Sequence, residues 1–413
     1  MNVFLLFILL LEAVLLFRIE KKMWGTGYTP LNFLMLPYVA ILGITLLLSG
    51  RLGLDEFYYP SLIPWIIGLP VFALPGWLFF LAERRFWARN TSCASFENNE
   101  FAVNQGAYRF EIGLAIAILI ALSVRLIVFL LQGKGTIGNE EFGALFSGNG
   151  WAGHLQLISV ALLMLLLLDN RRWPTWIISA FILFFLFVYQ VKSGIILPLL
   201  AVLFALLITE RLKFKLKYLL WIGGGVVAVF FASYLWIYIS GNQQFPEATS
   251  VGAQLRSITS LFVHYLTSGT LGLSVDMQQG ILEEPGLQHI FTPFYNLWYT
   301  ITGQPVISGM NPEYLYTGIA RTNVRTFFGT LFVFTRPAGF VICCLLFGVG
   351  CQFFFGLFRR YRNTCTVLLC AWTCTVLFMG WFDFFPYLLS VFEIPFWMVA
   401  ITLIQKRFIN FKR

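Results

Sequence analysis

Long, uninterrupted apolar stretches are the feature that most constrains how this chain can fold. Two examples are "LAIAILIALSVRLIVFLL" and "WIGGGVVAVFFASYLWIYIS", and only 11% of the 413 residues are charged. About a quarter of the residues of a soluble domain are charged, so this chain has too few charges to cover a surface that faces water. In hydrocarbon, only helices and closed barrels satisfy every backbone group. Because the stretches lack the alternation of barrel strands, the sequence predicts an all-α polytopic membrane protein.

Eleven membrane spans are predicted, because about 17–25 apolar residues cross a bilayer as a helix. They are residues 2–17, 31–50, 60–82, 110–132, 151–168, 174–190, 193–209, 218–240, 337–358, 365–381 and 387–404. Cytoplasmic loops carry an excess of Lys and Arg, which gives the orientation. With the N-terminus outside and the C-terminus cytoplasmic, cytoplasmic segments hold 20 of the 28 basic residues. The net charge of +9 is therefore assigned to membrane orientation, and no nucleic-acid partner is expected.

The predicted domain organisation is a single transmembrane helical bundle over residues 1–413 with one large outer loop. This loop, residues 241–336, lies between spans eight and nine. A loop of this length in a tight bundle is usually functional. Apolar residues recur within it at helical spacing, which predicts an interfacial amphipathic helix near 256–268 that ends at Gly269.

Positive side chains on the outer side are contrary to the positive-inside rule, so the presence of each one needs its own explanation. The candidates for binding a diphosphate, which Arg holds bidentately, are Lys192, Arg256, Arg321 and Arg325. Arg321 and Arg325 are predicted to share one helical face with an anion between them. The alternative to diphosphate binding is that these positive side chains contact solvent or lipid headgroups. Arg125, inside span four, is a further candidate because charge in hydrocarbon is costly; pairing within the bundle is its alternative.

Three residues of the outer loops are candidate general bases for a hydroxyl group: His264, Asp276 and Asp383. Asp383 is flanked by aromatic residues, so desolvation is expected to raise its pKa most. Spacing does not choose among the three. Metal-ligand spacing, a phosphate-binding glycine loop and a nucleotide fingerprint are all missing from the sequence, so neither a metal nor a cofactor is expected.

The segment "TNVRTFFGTLFVFTRPAGFVICCLLFGVG" resembles the Wzy-type oligosaccharide repeat-unit polymerases of bacterial O-antigen and capsule pathways. The matching positions are Asn323, Val324, Thr326, Phe328, Gly339 and Gly348. The eleven-span layout, the late outer loop and the aromatic richness are similar across nearly the whole chain. Two positions depart from the pattern. Lys192 stands where family members often carry Arg, and Phe334-Thr335-Arg336 replaces an Asp-Phe-Gly.

The resemblance implies a glycosyltransferase in the bacterial inner membrane that polymerises glycan repeat units at the periplasmic face. The implied substrate is an undecaprenyl-diphosphate-linked oligosaccharide, and a chain-length regulator protein is a potential partner. In such a reaction the growing glycan passes from its carrier to the non-reducing-end hydroxyl of an incoming repeat. Two alternatives stay open: an O-antigen ligase that transfers the glycan to lipid A core, and a non-enzymatic exporter of lipid-linked glycans.

Overall fold

The computed structural model describes residues 2–86, 105–132, 142, 146, 150–169, 172–188, 192–213, 215–239, 251–280 and 286–410. Helices dominate these residues, as the predicted all-α class requires. The helices before the large loop are α1 (Asn2–Trp24), α2 (Pro30–Leu48), α3 (Ile63–Phe86), α4 (Gln105–Leu131), α5 (Trp151–Asp169), α6 (Trp173–Val188), α7 (Lys192–Ile208) and α8 (Leu216–Ile239). They are followed by α9 (Val251–Gln279), α10 (Leu287–Ile290), α11 (Thr292–Thr302), α12 (Phe327–Tyr361), α13 (Thr364–Phe378) and α14 (Leu389–Asn410).

The protein is an all-α membrane protein. Among the described residues, seven helices are long and apolar enough to cross a membrane: Pro30–Leu48, Tyr59–Arg85, Gln105–Leu131, Trp151–Leu168, Phe327–Tyr361, Thr364–Trp381 and Leu389–Arg407. Helices α6, α7 and α8 are apolar but provide shorter stretches. Each of the eleven predicted segments overlaps a helix.

The chain divides into two compact units, whereas the sequence predicts a single bundle. The first unit contains Met1–Ala94, Thr259–Arg360 and Thr373–Val391; the second contains Ser95–Ile258, Tyr361–Trp372 and Phe392–Arg413. Apolar composition does not predict this division, because the spans of both units are equally hydrophobic.

Aromatic side chains form the centre of the first unit. Trp65 of α3 is fully buried, and its ring stacks on Tyr38 of α2 with the centroids 3.4 Å apart. Phe328 of α12 meets the same indole edge-on at 4.9 Å. Edge-to-face pairs such as that of Phe328 and Trp65 add to the stabilisation that burial itself provides. This aromatic packing fixes where α12 begins.

Helix α12 begins ten residues before the predicted span 337–358, at Phe327. Its first turns, 327–335, are almost entirely buried in the first unit, whereas the sequence placed them in the loop. Arg336, at φ 58° and ψ 171°, breaks the helical geometry, and Pro337 follows it. The residue before a proline is disfavoured in the α region, so the helix is divided at this point.

In the second unit, α5 is the central helix. Residues 160–166 of α5 are all buried, and α5 packs against α4, α6 and α7. A helix that is apolar on every side suits a position surrounded by other helices.

Candidate functional site

Helix α9 is the main support of the candidate site in the first unit. It runs from Val251 to Gln279, so the predicted helix near 256–268 is too short and Gly269 does not end it. The helix instead stops before Gly280, which has φ +67°. A single glycine within a helix is tolerated when packing stabilises the helix around it, which explains why the expected stop at Gly269 fails.

Two glycines of α9 allow other backbone segments to cross the helix at short distance. A Cβ atom at Gly269 would lie 2.2 Å from the carbonyl oxygen of Phe382, and one at Gly272 would lie 2.4 Å from that of Val324. Tyr265, one turn before Gly269, stacks on the ring of Phe382 with centroids 6.1 Å apart. Because these positions share one face of α9, the face holds two distant segments side by side.

Asp276 lies on the same face and forms a buried ion pair with Arg325. Nε and Nη2 of Arg325 donate to the Asp276 carboxylate, and Nη1 donates to the carbonyl of Val324. Both charged side chains are 1% exposed. Burial raises the pKa of Asp276 to about 6, and the charge of Arg325 acts in the opposite direction. Because Asp276 neutralises it, Arg325 does not offer a free charge to a diphosphate, contrary to its predicted role.

Asp383 provides a second buried carboxylate beside the same arginine. Tyr387 donates its hydroxyl to Oδ2 at 2.9 Å, and the N–H of Phe384 donates to Oδ1 at 2.8 Å. The backbone N–H of Arg325 also donates to this carboxylate. Burial nevertheless raises the pKa of Asp383 to about 6, as the aromatic flanks predict, while these hydrogen bonds lower it. Arg325 therefore lies beside two carboxylates whose pKa values are both raised to about 6.

His264, the third predicted base, is buried on α9. Its Nδ1 lies 3.3 Å from Oγ1 of Thr317. Burial lowers the pKa of His264, and a hydrogen bond to the backbone of Arg321 acts in the opposite direction. The imidazole is thus neutral at pH 7 and able to accept a proton.

A short hairpin, not a helix, carries Arg321. Strands β1 (Leu315–Tyr316) and β2 (Arg321–Thr322) pair antiparallel, with Tyr316 opposite Arg321. Arg321 is exposed, whereas Arg325 is fully buried. The predicted shared helical face of these two arginines is therefore wrong, because helix α12 begins only at Phe327.

The motif residues of this segment hold the site in place. Asn323 donates from Nδ2 to the carbonyl of Asn311 at 3.1 Å. Oγ1 of Thr326 accepts from Nε1 of Trp65 at 3.1 Å and from the N–H of Gly329 at 3.2 Å, which makes Thr326 the N-cap of α12. The N–H of Thr326 donates to the carbonyl of Phe382. These bonds fix the position of Arg325 between Val324 and Thr326.

Sequence reasoning missed two further polar groups, the hydroxyl of Tyr387 and the amide of Asn311. Asn311 is 6% exposed, and its Nδ2 donates to no described residue. An unpaired buried donor is costly, so this amide suits a ligand oxygen. A carboxylate four residues before a tyrosine, Asp383 to Tyr387, was the available signal for the first group. No sequence pattern marks Asn311 as part of a site.

The remaining predicted cations belong to the second unit. Arg256 lies on α9 in its first turns and is exposed. Lys192 is the first residue of α7. Among the residues that the structure describes, no group of three His, Cys, Asp or Glu could hold a metal ion.

A family model described as "Family of unknown function (DUF6337)" matches residues 53–411 of this chain. No curated protein and no solved structure matches it.

Proposed function

The chain belongs to the DUF6337 family, whose function is unknown, and we propose that it polymerises lipid-linked oligosaccharide repeat units at the outer face of a bacterial inner membrane. One observation carries this proposal: two buried carboxylates with pKa values raised to about 6, Asp276 of helix α9 and Asp383, lie beside the same residue, Arg325. The similarity of "TNVRTFFG" to the Wzy-type polymerases supports the same activity, since that segment holds Arg325 in place.

The chemistry needs a base near neutral pH, and Asp383 is our first choice for this role. A general base acts best when its pKa is close to the working pH. In the proposed reaction, the acceptor hydroxyl oxygen forms a bond to the anomeric carbon of the donor glycan. The bond from that carbon to the diphosphate oxygen breaks, its electron pair leaves with the diphosphate, and the hydroxyl proton moves to the carboxylate. Direct attack of this kind inverts the anomeric carbon.

The departing diphosphate requires positive charge and hydrogen-bond donors. Arg321 supplies an exposed charge in the hairpin, and Asn311 supplies an unpaired amide in the adjoining segment. Charge that develops in a transition state is stabilised best by donors already in place. Arg325 is assigned a positioning role, because it orders both carboxylates.

The membrane arrangement that belongs to this proposal is the eleven-span layout with residues 241–336 outside and the C-terminus in the cytoplasm. Its substrate is an undecaprenyl-diphosphate-linked oligosaccharide. An O-antigen ligase would use the same donor as a polymerase and differ only in its acceptor, so the two activities are distinguished by expression in cells that lack one or the other. An exporter needs no general base, so substitution of the candidate base distinguishes an exporter from an enzyme.

Genetic complementation tests the proposal. The protein is expressed in one strain that lacks its O-antigen polymerase and in another that lacks its ligase, both supplied with the protein's own repeat-unit genes. Wild type should restore the ladder of long chains in the first strain, and Asp383→Asn should leave only single lipid-linked repeats. Arg51→Gln, in an exposed loop, is the matched control and should restore the ladder.

If the protein rescues only the ligase-deficient strain, its activity is that of an O-antigen ligase. A full ladder from Asp383→Asn would remove Asp383 from the catalytic role.

A further inference from the structure

A second charged cluster lies in the second unit, where three membrane-crossing helices meet. Helix α4 contributes Arg125, α5 contributes Trp151 and His154, and α14 contributes Glu393 and Trp397. Each of these residues lies within about two turns of the helix end. These are the C-terminal end of α4 and the N-terminal ends of α5 and α14. Ionisable side chains in membrane helices are costly and mark functional positions.

Glu393 and His154 form a dyad across two helices. Oε1 of Glu393 lies 2.7 Å from Nδ1 of His154 and accepts from Nε1 of Trp397 at 3.0 Å. The Glu393 side chain is 11% exposed, and that of His154 is 44% exposed. The carboxylate therefore holds the imidazole through Nδ1, so Nε2 is the ring nitrogen that can interact with a ligand.

Arg125 faces the same side of α5. Its guanidinium lies 5.7 Å from the centroid of the Trp151 ring, and Trp151 and His154 are neighbours on the helix, three residues apart. The Nε atom of Arg125 is buried and has no hydrogen-bond partner within the described part of the chain. A cation–π contact does not use the N–H donors of the guanidinium, and a buried donor without a partner favours a ligand that accepts hydrogen bonds.

We propose that Arg125, Trp151 and His154 bind a phosphate group carried by a lipid. A phosphate between the two side chains would accept hydrogen bonds from the Arg125 guanidinium and from Nε2 of His154, which Glu393 holds through Nδ1. The N-terminal ends of α5 and α14 add a favourable dipole. Trp151 is 53% exposed at a helix end, where indoles meet the boundary between lipid headgroups and acyl chains.

The site deepens the proposed function and rests on it for the identity of the lipid. Polymerisation requires two lipid-linked glycans to be bound at once, a donor and an acceptor. A phosphate site built only from residues of the second unit, none of which is assigned to the diphosphate of the donor, would provide for the second lipid. Binding itself does not depend on any reaction.

Titration calorimetry of the full-length protein in detergent tests the inference. The probes are farnesyl phosphate, dihexanoylphosphatidylglycerol and inorganic phosphate. Farnesyl phosphate should bind, and Arg125→Gln should weaken its binding about tenfold or more, since charge-assisted hydrogen bonds are lost. Arg125→Lys should be intermediate because it keeps the charge and loses the fork. His154→Gln should weaken binding less, and Arg51→Gln should leave it unchanged.

Several outcomes would overturn the inference. Equal affinity for inorganic phosphate would show that the lipid plays no part, and equal affinity for the phosphatidylglycerol would identify a general headgroup site. Wild-type affinity in a monodisperse Arg125→Gln protein would remove the cluster as a phosphate site. A wild-type protein that does not bind farnesyl phosphate but makes a polymer ladder would reject this inference alone. A wild-type protein that binds farnesyl phosphate but makes no ladder would reject only the proposed function.

Discussion

From the buried ion pair between Arg325 and Asp276 we predict how the free energy of unfolding changes when one partner is removed. Removing one partner leaves the other charge buried without compensation, which costs about 3–5 kcal/mol. Arg325→Met should therefore lower the free energy of unfolding by about that amount. The double variant Asp276→Leu with Arg325→Met should recover most of the loss, because neither charge then remains. Unfolding in mixed micelles measures both, and equal losses in the single and double variants would contradict the ion-pair explanation.

The pKa of Asp383 predicts how activity depends on pH. Burial raises this pKa to about 6, so the carboxyl is protonated below pH 6 and cannot accept a proton there. Polymerisation by purified protein should therefore rise as the pH increases through about 6 and level off above it. Asp383→Asn should lower the rate about 10²- to 10⁴-fold on the plateau above pH 6, and this loss should become smaller below pH 6, where the wild-type carboxyl is itself protonated. Glu56→Gln, which changes an exposed carboxylate of the same unit, is the control and should keep the wild-type profile.

The raised pKa of Asp383 also predicts how the stability of the folded protein depends on pH. Asp383 binds its proton more tightly in the folded state than in the unfolded state, where the pKa is near the ordinary value of 3.8. Its contribution to stability is therefore complete at low pH and is lost as the pH rises from about 4 to about 6. Thermal melting of wild type against Asp383→Asn measures this difference. A wild-type advantage that grows over that interval would contradict the raised pKa.

Helix α9 depends on close backbone contacts at the element scale. At Gly269, a Cβ atom would meet the carbonyl of Phe382 at 2.2 Å, and backbone cannot move aside as a flexible side chain can. Gly269→Ala should therefore destabilise the protein by about 1–3 kcal/mol, the range for overpacking. Gly252→Ala on the same helix, which meets nothing within 4 Å, should be neutral or stabilising by up to about 1 kcal/mol. Melting temperatures of both variants provide the comparison, and equal effects would contradict the close crossing.

The extent of α9 shows what periodicity can and cannot predict. Apolar spacing from Ile258 to Leu266 correctly predicts a helix there. It does not predict that the helix continues through Gly269 to Gln279, because the residues beyond Gly269 are held by segments far away in sequence. Ser274, for example, accepts a hydrogen bond from the N–H of Tyr58 at 2.7 Å. Such support is invisible in a local window.

At the scale of the whole molecule, the orientation of the chain in the membrane predicts where labels can react. Ser308 and Asn363 are exposed and lie in the outer loop and in a cytoplasmic segment of the proposed layout. Ser308→Cys should react with a membrane-impermeant maleimide in intact cells. Asn363→Cys should react only after the cells are permeabilised. The reverse pattern would overturn the layout and with it the proposed site at the outer face.

The sequence alone determined the class of protein and the positions of its apolar helices, because backbone satisfaction in hydrocarbon depends on local composition and length. It also indicated His264, Asp276 and Asp383 as candidate bases from residue type and, for Asp383, from the flanking aromatic residues. Only the tertiary structure decided that Asp276 neutralises Arg325 and that Asp383 lies beside them. These contacts join residues far apart in the chain, and they exist because Gly269 and Gly272 let two segments cross one face of α9. Amino-acid composition cannot predict such a crossing.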